Sequence, residues 1–329
     1  MSTATYERIE EIHPHPNADK LEFARVMNYE ALVPKGEYMV GEDVIFIHPD
    51  SILPDQPWAE PFKKYVRGRV RAIKIRGAYS MGIIAKTNIM PFPGAGDTWY
   101  YGKDVSDLLG ITKHEPALPK DTKAKGALPF GIYKTDESNW QGLRHLPWGE
   151  EVDVTLKIDG QSATYYCKKV NDEWVTGITS RNLEIKMECH NHLTYANEQL
   201  QILDKLKAYC QKHDLSLALR GELYGTGIQA HQYNPHSMMP VSWACFNLMN
   251  IDTLTYFFKG SEHYYEDACV EMELPTTPVI ERAPLTKELI HKYDEELEEL
   301  FGVGFEGVVM KHSTGSFKVI NKFYDSRKT

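Results

Sequence analysis

The stretch Val152-Asp153-Val154-Thr155-Leu156-Lys157-Ile158-Asp159-Gly160 sets the frame for the whole chain. Val152, Val154 and Leu156 alternate as they do in a strand with one face in a core, which turns Asp153, Thr155 and Lys157 the other way. If the strand runs on, Asp159 shares the face of Lys157, and Gly160 lets the chain turn close to whatever lies beyond it. A lysine and a carboxylate then stand together at a strand end. Taken alone, the same residues also describe a surface strand that closes in an Asp-Gly turn.

Further stretches follow in a fixed order: Ser180-Arg181-Asn182, Leu219-Arg220-Gly221-Glu222-Leu223-Tyr224-Gly225, Trp243-Ala244-Cys245-Phe246-Asn247, Glu306-Gly307-Val308-Val309-Met310-Lys311, and Phe317-Lys318-Val319-Ile320-Asn321-Lys322. The ordered set, over roughly residues 130 to 329, resembles the covalent nucleotidyltransferase superfamily of ATP-dependent ligases and capping enzymes. Gly225-Thr226-Gly227-Ile228-Gln229, and a chain that stops just past the last motif, look most like RNA ligases.

That resemblance implies that Lys157 attacks the α-phosphate of ATP, expels pyrophosphate and holds AMP through a phosphoramidate bond. A lysine must be neutral to attack phosphorus, so neighbouring cations or a metal are expected to lower the pKa of Lys157. Lys311 and Lys318 match the family's cationic clamp on the developing charge, Phe246 the aromatic that stacks on adenine, and Arg181 a nucleotide contact. Leu215, Leu217 and Leu219 alternate into a core and leave Arg220 and Glu222 on an open face. Glu222, Asp159 and Glu306 are three carboxylates at strand ends, suited to Mg²⁺ or Mn²⁺ held partly through water. Strict alternation would put Glu306 and Lys311 on opposite faces, so one cleft can use both only if the strand bulges or begins after Gly307. Two positions depart from the family pattern: Asn247 replaces an Asp, and Ile320 stands where many relatives have a second Lys, leaving Lys322 as a substitute two residues on.

Residues 1–112 read as short β segments with frequent turns, the pattern of a small barrel. His13-Pro14-His15-Pro16-Asn17-Ala18-Asp19 is expected as a loop, Leu21, Phe23 and Val26 as strand, and Val44-Ile45-Phe46-Ile47 as a buried strand. His15 to Val26, Val33-Pro34-Lys35-Gly36 and Gly41-Glu42-Asp43-Val44 resemble RNA-binding OB-fold modules, closest to the N-terminal module of one family of RNA ligases. Between Lys63 and Arg76 stand seven basic residues and no acidic one. Arg67, Arg69 and Arg71 have strand spacing and are expected to line a phosphate track, with a bulge or turn after Ala72. Residues 113–130, with three prolines and no periodicity, read as a linker. Beyond it, Asn197 to His213 and Thr286 to Phe301 have helical spacing, the second with an acidic, solvated face.

Composition excludes several classes. The chain has 329 residues, a net charge of −9, 42% hydrophobic and 25% charged residues, which fits a globular protein and not a uniformly basic nucleic-acid binder. Five widely spaced cysteines without a Cys-x-x-Cys pair point to reduced thiols and a cytoplasmic setting, and no apolar run has the length of a membrane span. Cys189-His190-Asn191-His192 is too tight for a zinc site, and His231 and His236 read as isolated loop residues.

The expected fold is α+β: an N-terminal OB-like β-barrel (1–112), a linker (113–130), and an adenylyltransferase domain of antiparallel sheets with flanking helices (131–329). The expected function is an ATP-dependent RNA ligase that joins 3′-hydroxyl and 5′-phosphate ends in RNA end or nick repair. Its partner is RNA or an RNA-containing duplex, with no protein partner or membrane implied. The rivals are a DNA ligase, a capping nucleotidyltransferase, and an RNA-binding protein with an inactive transferase domain.

Overall fold

The computed structural model describes residues 2–66, 68–90, 98–114, 124–134 and 136–327. Two compact units result: residues 1–117, 138–146 and 325–329 form one, and residues 118–137 and 147–324 the other.

In the first unit, Asp43–Ile47 is the middle strand of an antiparallel sheet, between Ala4–Arg8 and Ile83–Lys86. Its apolar run is unbroken because both faces are covered. Val44 and Phe46 enter a core with Val26, Tyr29, Ala31 and Val33, while Ile45 and Ile47 enter another with Val105, Leu109 and Ile111. A second sheet pairs Leu21–Val26 with Glu11–Pro14 on one side and Tyr29–Pro34 on the other. His13 and Pro14, expected in a loop, end the Glu11–Pro14 strand instead, and this is an edge strand, where proline's missing N–H costs little. Among the described residues of the basic stretch, the regular strand is Ile73–Ile75, which turns through Arg76 and Gly77, both at positive φ, into Ala78–Ser80.

In the second unit, a seven-stranded antiparallel sheet runs in the order Ala124–Ala127, Leu183–Ile185, Glu173–Ser180, Gln161–Val170, Leu217–Tyr224, Ser242–Asn250, Thr255–Tyr256. Ala124–Ala127 falls in the stretch expected as a linker, and pairing with Leu183–Ile185 makes it an edge strand; residues 115–123 lie outside the described residues. Another antiparallel sheet places Gly315–Ile320, Gly307–His312, Glu151–Leu156 and Val279–Pro284 side by side.

Leu193, Ala196, Leu203 and Leu206 join Tyr165, Leu217 and Leu219 of the large sheet in one core. They come from two helices, His192–Leu200 and Ile202–His213, with Gln201 left-handed at φ 54° between them; a continuous period had hidden this break. Asn191, from the tight Cys-His cluster, caps the first of these helices in a capping box with Thr194. The other expected helix ends early. Lys287–His291 passes into a wider turn over Lys292–Glu296, and Glu299–Leu300 then pairs with Val303–Gly304. Among the described residues, no helix is long and apolar enough to cross a membrane.

Candidate active site

Glu151–Leu156 forms as its alternation predicts, but both of its faces are covered. Asp153 and Thr155 are as buried as Val152 and Val154. Asp153 is tolerated there because Lys259 (2.6 Å), Arg282 (3.0 Å) and Tyr264 (3.1 Å) all donate to its carboxylate. Lys157 follows the strand end, and its amide donates to the Gly307 carbonyl at 3.0 Å.

Register places the other lysines. Asp153 pairs with Lys311, Thr155 with Val309, and Val309 in turn with Lys318, so Thr155, Lys311 and Lys318 share one face of the sheet. Lys311 is buried, donates to the Phe246 carbonyl, and lies 4.7 Å from the centre of the Tyr265 ring. Burial pushes its pKa down from the ordinary lysine value. Phe246 is half-buried and sits in a bulge: Gly221 faces Cys245 and Arg220 faces Asn247, leaving Phe246 as the extra residue. Trp243 and Cys245 before it and Leu248 after it all reach the same core, a change of parity that the extra residue allows.

The conflict between Glu306 and Lys311 is resolved at Gly307. The strand begins there, so Glu306 escapes the alternation and accepts a hydrogen bond from Lys157 Nζ. A β-carbon on Gly307 would lie 2.3 Å from the Val319 carbonyl oxygen, which makes glycine the residue that permits this start. Gly160 is constrained in the same way. Its β-carbon would lie 2.2 Å from the Leu223 oxygen and 2.9 Å from Glu222 Cγ, so the turn after Asp159 lies directly on the Glu222 strand.

Three carboxylates therefore surround Lys157. Burial lowers its pKa, but Glu306, Glu222 and Asp159 together outweigh that and leave it above the ordinary lysine value. Of the two expected sources of a lowered pKa, neighbouring cations do not supply it: with the protein's own charges alone the ammonium form is favoured, which leaves the lowering to a metal. The donors are hard oxygens, which suits Mg²⁺ or Mn²⁺ held partly through its own waters. Among the described residues, no group of three His, Cys, Asp or Glu side chains could hold a metal directly.

Other site candidates have partners of their own. Arg181 donates to Asp136 at 2.7 Å. Arg220, expected on an open face, is buried: it donates to the Tyr133 carbonyl at 2.5 Å and stacks near the Tyr133 and Tyr256 rings. Lys322 is buried against Asp294 (3.2 Å) and Glu295 (2.6 Å). The acidic face expected to be solvated thus supplies a buried partner. In the first unit, Arg67 lies outside the described residues, and Arg69 pairs with Asp50 at 3.0 Å and approaches Asp325 at 3.8 Å. Asp325 also accepts from the Ala72 amide at 2.9 Å.

Burial raises the Asp294 pKa from 3.8 to about 6. The folded state holds this proton more tightly than the unfolded chain, so the contribution of Asp294 favours folding at acid pH and is lost as pH rises from 3.8 to about 6. Lys322→Met leaves that charge uncompensated. It is expected to cost about 3–5 kcal/mol at pH 7.5, and less below pH ~5, in denaturant titrations at both pH values. Equal losses at the two pH values would show that the Asp294 charge is not what Lys322 supports.

Sequence reading missed the groups around Asp159. Its carboxylate accepts from His231 Nε2 at 3.0 Å and from the Tyr324 hydroxyl at 2.9 Å, and Asn234 Nδ2 donates to its carbonyl at 2.9 Å. Asn234 caps the 3₁₀ turn Pro235–Met238, a role that an Asn-Pro pair could have signalled, but nothing local in the sequence pairs His231 with Asp159.

A family model described as RNA ligase matches residues 150–323, just over half of the chain. The chain belongs to the RNA ligase family. An OB-fold domain model matches residues 3–87 of the same ligase. Its fold resembles that of the Naegleria gruberi RNA ligase with pyrophosphate, at TM-score 0.82 and 25% identity, covering 98% of both chains. A variant of the Naegleria gruberi enzyme with ATP and Mn gives TM-score 0.81 and 25% identity, again over 98% of both chains. No curated protein matches the ligase.

Proposed function

We propose that this ligase joins RNA 3′-hydroxyl and 5′-phosphate ends with ATP, through AMP carried on Lys157. The observation that carries the reading is one lysine at a strand end, bonded to Glu306 and in the field of Glu222 and Asp159, beside a sheet face that bears Lys311 and Lys318. Glu306, which already accepts from Nζ, takes one proton from the ammonium; the free amine of Lys157 then attacks the α-phosphorus, its N–P bond replaces the bond to pyrophosphate, and the second proton is lost to the departing pyrophosphate or to solvent. Phe246 offers a half-buried ring for the adenine, and Lys311 a buried cation for charge developing on the phosphate. Glu222 and Glu306 would hold Mg²⁺ or Mn²⁺, partly through its waters, and its charge would offset the negative field that these carboxylates otherwise direct at Lys157. AMP then moves to the RNA 5′-phosphate, and the 3′-hydroxyl displaces it to make the phosphodiester.

Protein incubated with α-labelled ATP and Mn²⁺ should become labelled. On addition of RNA with a 5′-phosphate, the label should pass to the RNA and then appear as free AMP as joined product forms. Label that stays on the protein while RNA goes unjoined would count against ligation as the function.

The RNA track is proposed to run over Arg67, Arg69 and Arg71; the test leaves Arg69, which pairs with Asp50, in place. Arg67→Ala/Arg71→Ala is expected to keep AMP transfer, which needs only ATP and metal. RNA joining should fall about tenfold at 150 mM salt, and the salt dependence of RNA binding should become shallower. Joining at the wild-type rate would place the track elsewhere.

A further inference from the structure

Asp159 is held from three directions by residues far from it in sequence. His231 and Asn234 lie in the loop between Leu217–Tyr224 and Ser242–Asn250, and Tyr324 lies in the helix Lys322–Arg327. His231 Nε2 and the Tyr324 hydroxyl both reach Asp159 Oδ2, at 3.0 and 2.9 Å, and stand 3.1 Å from each other. Their rings meet edge to face, with centroids 5.5 Å apart.

The histidine's proton is placed by its other nitrogen. His231 Nδ1 accepts from the Tyr233 amide at 3.3 Å, which leaves the N–H on Nε2, aimed at Asp159. Asn234 fixes the main chain: it is 3% exposed, donates to the Asp159 carbonyl at 2.9 Å and the Gln229 carbonyl at 3.0 Å, and accepts from the His236 amide at 3.0 Å. On the other side of the turn, Gly160 rests on the Glu222 strand. The segment two residues beyond the lysine is therefore clamped at its side chain and its backbone.

We propose that His231, Tyr324 and Asn234 are positioning residues for lysine adenylylation, acting through Asp159. This rests on the lysyl-AMP reading above. Attack on phosphorus needs the amine in line with the departing pyrophosphate, and small displacements of a reacting group are costly in rate. The Lys157 amide is held by the Gly307 carbonyl on the strand side, and the Asp159 turn holds the chain two residues beyond it. The carboxylate also contributes to the field that Lys157 experiences. Losing a clamp donor should therefore lower kcat for AMP transfer and leave the KM for ATP unchanged.

The test begins with Tyr324→Phe, which removes one hydroxyl and keeps the ring. AMP transfer should slow about tenfold or more with the KM for ATP within twofold, as loss of a hydrogen bond to a charged group allows. His231→Leu should behave alike, and His231→Gln, whose amide nitrogen can stand near the place of Nε2, should recover most of the rate. In an Asp159→Asn background, Tyr324→Phe should cost less than twofold, because groups that act through one residue are not additive. Equal losses in both backgrounds, a raised KM at unchanged kcat, or a wild-type rate in Tyr324→Phe would each overturn the proposal. A wild type that forms no AMP adduct overturns the lysyl-AMP reading itself. The clamp then stands or falls on amide hydrogen exchange across Ile158–Gly160, which should speed up at least tenfold in Tyr324→Phe and which, if unchanged, removes the clamp.

Discussion

Lys157→Ala is expected to abolish AMP transfer from ATP and, with it, ATP-dependent joining of RNA, while the fold survives. The side chain lies beyond its strand and a quarter of it is exposed, so truncation opens no hole in the core. It does remove the cation that Glu306, Glu222 and Asp159 share, so stability is compared with Mn²⁺ present to stand in for that charge. Two measurements separate loss of the nucleophile from general damage. The melting temperature should stay within a few degrees of wild type. RNA already carrying a 5′-adenylate should still be joined, since that step needs the phosphate clamp and not the amine. If the variant joined ordinary RNA with ATP at more than about one hundredth of the wild-type rate, Lys157 would not be the nucleophile.

The second large effect concerns Glu306. Glu306→Gln removes the acceptor for the Lys157 proton and the largest single source of negative charge acting on the lysine, and should slow AMP transfer by about 10²-fold or more. The sign of its effect on the lysine is opposite to its effect on rate. A carboxylate beside an ammonium favours the charged form, so its removal must lower the Lys157 pKa and raise the fraction of free amine at a given pH. Acylation of Lys157 by a small reagent, followed by peptide mapping between pH 8 and 10 without nucleotide, should therefore be faster in Glu306→Gln than in wild type. A variant that is both slower to acylate and slower to adenylylate would mean that Glu306 shields or orients the lysine more than it charges it.

These opposing signs show where reading the chain succeeds and where it stops. The alternation of Val152, Val154 and Leu156 identified the strand, and the ordered motifs identified the lysines and carboxylates beside it. The burial of Asp153 and Thr155 was not legible, because it depends on Lys259, Arg282 and Tyr264, more than a hundred residues away. For the same reason the balance of charge at the lysine was not legible: the motif lysines and carboxylates are visible in sequence, whereas the distances that let the three carboxylates outweigh burial are not. The break at Gln201 escaped notice because Leu200, Leu203 and Leu206 keep their spacing across a single left-handed residue. Glu306 and Lys311 were a different case. A strand starting at Gly307 was one of the two arrangements their spacing allowed, and the Val319 carbonyl, which leaves no room for a β-carbon, is the distant contact that decides for it.

The most direct measurement is the mass and location of the adduct. Protein incubated with ATP and Mn²⁺ and then denatured should carry one AMP, released by acid as expected of a phosphoramidate, and digestion should place it on the peptide containing Lys157. Lys157→Ala should carry none. An adduct of the same yield on another residue, or an undiminished adduct on Lys157→Ala, would contradict the assignment.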